Sequence, residues 1–341
     1  MSLLSTINEP PLVTAMGLAA MTALPSLEAA IISGVIPWTA VQVVNCALYG
    51  LNAYATSQPG RITDTQAKQL AKGKQIKKKR DGVEEKGNLI ADAANRSRTL
   101  VAPAGWAFAI WGPIFLGELI FCISHALLPE AAPVAAMVKR ASAGFMTSQI
   151  MQTLWTASFR PRFKGKSVFV SAGLLSGIAL SLSRAHAAFS SDRASYSSGQ
   201  YWRYFFPMTM HFSWTTAACL VNWNGSLAAC KGVGPQTLAI AGHLSVGAAT
   251  ALGVGVTLSR SAPVFGLVIS WALMACTAGM NQRLQPGAES SNNNYFHNRN
   301  SGDEKRAGVY GARVQKWLCL AGACLSAAAS PMALYSIKNG K

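Results

Sequence analysis

Apolar residues arrive along this chain in blocks close to 20 residues long, separated by polar and basic stretches. A helix of about that length crosses a hydrocarbon core of about 30 Å. Hydropathy windows of about 19 residues predict spans near 34–54, 105–128, 142–159, 167–184, 203–223, 237–257, 263–280 and 314–335. The predicted fold is all-α, a polytopic transmembrane helical bundle of about eight spans. The run from Pro11 to Leu24 is apolar but stops short before Pro25 and Glu28, which predicts an interfacial segment, with a ninth span as the other reading. The predicted organisation is an N-terminal segment 1–33, a helical bundle 34–280 containing a long basic loop 55–104, a polar loop 281–313, and an additional span with its tail 314–341.

Composition sharpens this picture. Half of the 341 residues are apolar and 13% are charged, against roughly a quarter charged in soluble domains. Disorder is excluded by the same numbers, because it requires low hydrophobicity. Six of the seven cysteines, Cys46, Cys122, Cys219, Cys276, Cys319 and Cys324, lie inside apolar blocks. There they read as small fillers, and no disulfide framework or zinc spacing follows.

The net charge of +17 raises the question of nucleic acid until the charges are located. They sit between the blocks. Eight alternating spans divide Lys and Arg 22 to 8 between the two sides, the asymmetry of the positive-inside rule, and predict an external amino terminus. No basic residue precedes Arg61, so the start lacks the charged region of a secretory signal, and the first span is expected to act as an uncleaved anchor. Lys72, Lys74, Lys77, Lys78, Lys79 and Arg80 crowd into nine residues of the first loop. They form a candidate contact for anionic lipids, the plainer reading being a solvated topology signal. No aromatic residue interleaves them to stack bases, so nucleic acid is not an expected partner.

The usual catalytic patterns are missing. Gly165-Lys166-Ser167 resembles the end of a phosphate-binding loop, but Arg160 stands where the first glycine is required. One carboxylate stands apart: Glu118 falls about 2 Å past the midpoint of the predicted 105–128 helix. At that depth it costs about 2.5–3.5 kcal/mol and should face the bundle interior, as a ligand or proton site or as a structural hydrogen-bond partner. Pro113, five residues earlier, either kinks the helix by freeing the Ala109 carbonyl or reflects only that proline is commoner in membrane helices than in soluble ones.

Nine tryptophans divide by depth. Trp38, Trp202, Trp223 and Trp317 fall near span ends and read as interfacial anchors. Trp111, Trp155, Trp214 and Trp271 fall within spans, where they either line an aromatic pocket or pack helices. His211 and His243 are candidates to ligate haem iron or to pair with Glu118, the ordinary alternative being packing. Gly173 with Gly177, Gly144 with Ser148, and Gly242, Gly247, Gly253 and Gly255 mark close helix contacts, within the chain or in a homo-oligomer or membrane complex.

Four of these stretches carry a resemblance in chain order. PAGWAFAIWGPIF (Pro103–Phe115), QTLWTASF with Trp155, PMTMHFSWTTAACLVN with Pro207, Trp214 and Ala217, and FGLVISWALMA with Trp271 together resemble the tryptophan-rich sensory protein and translocator protein family (TspO/MBR), in its longer multi-span members. Gln152 stands in the family's Asn place and Ser213 in its Gly place. The resemblance covers roughly residues 34–280, and the final span looks like an addition.

The resemblance implies a helical bundle that binds tetrapyrroles, sterols or other flat lipophilic ligands between helices. It implies Trp106, Phe108 and Trp111 as pocket lining, with Trp155 and Trp214 from facing helices, beside Glu118 and His211 read from the residues themselves. The expectation is a multi-pass membrane protein, not an enzyme, that binds or transports such a ligand (porphyrin or haem among them), with a sensory role included. The competing expectation is a structural subunit of a larger membrane complex without ligand activity of its own.

Overall fold

The computed structural model describes residues 9–57, 98–159, 162–190, 197–284 and 310–338, and the described backbone holds no strand. Nine long helices run through it: α1 (Pro10–Ile32), α2 (Trp38–Ser57), α3 (Trp111–Ala126), α4 (Ala135–Ala157), α5 (Phe169–Ser190), α6 (Phe206–Ala229), α7 (Pro235–Ser259), α8 (Pro263–Leu284) and α9 (Ala312–Lys338). The basic cluster Lys72, Lys74, Lys77, Lys78, Lys79 and Arg80 and most of the 281–313 loop lie outside the described residues. Proline opens α1, α7 and α8 and follows the first residue of α6; the first turn has no intrahelical acceptor for its N–H, so proline costs nothing there.

Six of the long helical segments are apolar enough to cross a membrane by length and composition, and the chain is an integral multi-pass membrane protein in contact with the lipid bilayer. The three less apolar helices, α2, α4 and α6, supply the interior. They carry the buried Asn45, Asn52, Ser142, Gln149, Gln152, Thr209, His211 and Asn224, and polar groups in a lipid-facing bundle turn inward because hydrocarbon offers them no partner. Helix α4 packs against α1, α2 and α5, while α6 joins that group to a second one of α7, α8 and α9.

Residues 10–32 correct the expectation of an interfacial segment. They form one 23-residue helix with Pro25 inside it, packed on α4 and α5. Glu9 pairs with Arg162 at one end and Glu28 with Arg184, at 3.2 Å, at the other, so α1 runs the length of α5. This also moves the start of α1 to the side that holds the basic 162–166 stretch, opposite to the side expected. Helix α2 follows after a tight turn at Gly34, whose φ of 78° a side chain would resist.

Pro113 does not kink a long helix. Residues Gly105–Ile110 wind as a 3-10 helix and α3 begins at Trp111, which leaves Pro113 in a first turn that tolerates it. Helix α9 is no appendage either. It lies in the contact seams of α7 and α8, where a Cβ on Gly253 would come within 2.5 Å of Ser326 Oγ and one on Gly266 within 2.5 Å of the Ser326 carbonyl. Glycine at both positions lets the backbones approach closely.

Candidate functional site

Three helices bring the interior chemistry together through their spacing. Trp111 and Glu118 are two turns apart on α3; Gln149, Gln152 and Trp155 succeed one another at three-residue intervals on α4; His211 and Trp214 do so on α6. Each set therefore shares one helix face.

Glu118 and His211 are both 0% exposed. Glu118 Oε1 accepts from His211 Nδ1 at 2.6 Å and from Gln149 Nε2 at 3.0 Å. Gln149 Oε1 accepts in turn from Asn52 Nδ2 at 2.6 Å. The result is a chain of four side chains from α2, α4, α3 and α6.

Trp111 lies against this pair. Its ring centroid is 5.8 Å from His211, 6.3 Å from Trp214, 6.5 Å from Trp155 and 5.7 Å from Phe115. The Trp155 indole donates to Ser171 Oγ at 3.0 Å, and Ser171 donates to Asn222 Oδ1 at 2.6 Å, a relay that fixes α4, α5 and α6 against one another. Several buried atoms around the cluster have no hydrogen-bond partner among the described residues: Glu118 Oε2, His211 Nε2, both amide atoms of Gln152, Trp214 Nε1 and Asn52 Oδ1. Buried polar atoms normally find partners, so this concentration sets the region apart.

Of the residues singled out in the sequence, Trp111, Glu118, Trp155, His211 and Trp214 meet in this buried cluster. Phe108 sits at its rim, 46% exposed, with its ring perpendicular to Trp214 at 5.8 Å. Trp106 does not join. It is 45% exposed and stacks edge-on against Trp271 at 4.6 Å on the outer face, and Trp271 donates to the Ala107 carbonyl at 3.2 Å. Trp271, expected inside, is thus an outer residue. Trp38, expected at the interface, is buried and donates to the Leu128 carbonyl at 2.9 Å. His243 pairs with Gln315 of α9 at 2.6 Å, away from Glu118.

Two residues of the network, Asn52 and Gln149, were not anticipated. Their signal was a repeat: Asn45, His125 and Ser142 form a second polar layer, Asn45 Nδ2 donating to His125 Nδ1 at 3.1 Å and to Ser142 Oγ at 3.0 Å. Each stands seven residues from its counterpart Asn52, Glu118 or Gln149 on the same helix. Two turns separate the layers by about 10.5 Å.

The segment that delivers Phe108 and Trp111 is pinned from behind. Arg98 donates to the Ala228 and Val233 carbonyls, Arg283 to the Thr99 carbonyl, and Ala104 N–H to the Ala275 carbonyl at 2.9 Å. A Cβ on Gly279 would collide with the Ala102 carbonyl oxygen, so only glycine admits this extended strap against α8.

Residues 83–285, more than half of the chain, match the family described as TSPO-like protein. No curated protein and no solved structure matches the chain.

Proposed function

This chain belongs to the TSPO-like protein family, and on that premise we propose that it binds a flat lipophilic molecule of the tetrapyrrole or sterol type inside its bundle, as a carrier or sensor. The observation that supports the reading is the meeting of Trp111, Trp155 and Trp214 from three helices over the Glu118–His211 pair. Indole faces suit a planar apolar body, and the unpartnered atoms of Glu118, His211, Gln152 and Trp214 supply the few polar contacts that orient a ligand in an apolar site.

A path to the site follows from exposure. Phe108 touches both the bundle surface and Trp214, so a lipophilic molecule dissolved in the bilayer meets that ring first and the buried indoles after it.

The test is a titration of the full chain in detergent with protoporphyrin while tryptophan fluorescence is followed. Saturable quenching in the wild type, weakened in both Trp111→Ala and Trp214→Ala, is the expected result. Absence of saturation, or quenching indifferent to both substitutions, overturns the reading. Stoichiometric co-purification with other membrane subunits, without any ligand response, would favour a scaffold instead.

A further inference from the structure

A cavity of about 320 Å³ lies away from the aromatic cluster, where α1, α4 and α5 come together at the Glu28 end of the bundle. It is lined by Glu28, Arg140, Arg184, Ala187 and Ala188. We infer that it takes the phosphodiester headgroup of an anionic phospholipid, with Arg140 and Arg184 as the groups that hold the phosphate. Arg184, Ala187 and Ala188 are three and four residues apart and share one face of α5. Side chains as short as alanine keep the space beside the guanidinium open.

Charge selects the class of occupant. Arg184 pairs with Glu28 at 3.2 Å, whereas Arg140 has no carboxylate partner among the described residues. Two guanidinium groups and one carboxylate leave the cavity one positive charge in surplus. The neighbouring cations are engaged elsewhere: Lys139 pairs with Glu130, and Arg260 donates to the Ser183 carbonyl at 2.9 Å and to its hydroxyl at 3.0 Å. A monoanion with its charge spread over several oxygens matches that surplus, and the guanidinium fork suits phosphate oxygens.

Depth separates a lipid from a dissolved anion. Counted along the axes, Glu28, Arg140 and Arg184 lie about 10, 9 and 7 Å from the midpoints of α1, α4 and α5, within the half-thickness of about 15 Å of a hydrocarbon core. A guanidinium rooted at that level extends outward to the headgroup region, where lipid phosphates are the anions at hand. Leu180, one turn from Arg184 toward the middle of α5, is 60% exposed. It continues the same helix face, along which an acyl chain below the bound headgroup would lie. The cavity is at the end opposite Arg162 and the basic stretch that follows it, so it is separate from the side where positive charge accumulates for topology.

The experiment adds phosphatidylglycerol, phosphatidylcholine, glycerol phosphate or inorganic phosphate to the full chain, stripped of lipid in detergent, and reads native mass spectra and thermal unfolding. Saturable uptake of phosphatidylglycerol, preferred about fivefold or more over phosphatidylcholine, is expected in the wild type and in Lys139→Gln. Arg140→Gln should reduce that preference about fivefold and leave the unfolding temperature of the lipid-free protein unchanged, since Arg140 holds no partner. Glu28→Gln should strengthen uptake of phosphatidylglycerol, because it releases Arg184 and raises the positive charge of the cavity; a merely structural ion pair predicts no such gain. A wild type without the preference, a preference unchanged in Arg140→Gln, or weaker uptake in Glu28→Gln overturns the inference. Glycerol phosphate or inorganic phosphate displacing the lipid at equal concentration overturns the lipid as occupant and assigns the arginines to a dissolved phosphate. None of these readouts involves protoporphyrin, so the outcome is independent of the ligand reading above.

Discussion

His211 Nδ1 and Glu118 Oε1 meet at 2.6 Å with neither side chain exposed, so two helices are joined deep in the bundle by a pair that has no access to water. Removing one partner leaves the other buried and unsatisfied, which costs more than losing both. Glu118→Ala and His211→Ala should each lower stability by about 1–3 kcal/mol, and the double variant by less than their sum. Denaturation in detergent, run as a double-mutant cycle, measures the coupling; additive losses would show that the pair is not an energetic unit.

Gly279→Ala should unseat the strap at residues 98–104. The obstruction is the Ala102 carbonyl, a backbone atom that cannot rotate away, so the cost is that of overpacking, about 1–3 kcal/mol. Because the strap leads directly into Phe108 and Trp111, ligand-dependent tryptophan quenching should weaken along with the melting temperature. Loss of neither would mean that the strap accommodates a methyl group.

The second polar layer should matter to stability and not to ligand response. Asn45→Ala deprives His125 Nδ1 and Ser142 Oγ of a donor, and an expected loss of about 1–3 kcal/mol in thermal or denaturant unfolding should leave protoporphyrin quenching as it was. A large change in quenching with little change in unfolding would assign this layer to the site.

The course of α1 predicts labelling from opposite sides. In a background without native cysteines, Glu9→Cys should react with a membrane-impermeant maleimide from the same side as Arg162→Cys, and Ser33→Cys from the other. Labelling of positions 9 and 33 from one side would return this segment to the interface.

How much of this could be read beforehand differs from residue to residue. The apolar blocks disclosed most helices because hydrocarbon thickness fixes their length. Helix α1 escaped because Pro25 and Glu28 interrupt its block, yet proline is tolerated where neighbouring helices support the backbone, and Glu28 reaches Arg184 at the bundle end. Glu118 announced itself, since a lone carboxylate at that depth needs a partner. Asn52 and Gln149 did not, because neutral amides are cheaper to bury and only the facing helix tells which of them is used. Trp106 and Trp111 looked equivalent in one helix; the tighter 3-10 winding of residues 105–110 changes the direction of Trp106 and sends it to Trp271 on the outer face.

Helix α9 falls beyond the residues that match the family, yet its Ser326 is what fills the space over Gly253 and Gly266. A protein shortened before Ala312 would carry two bare glycine-floored furrows along α7 and α8, troughs that acyl chains would have to enter. The close approach that glycine allows at these two positions is thus spent on a helix from outside the matched residues.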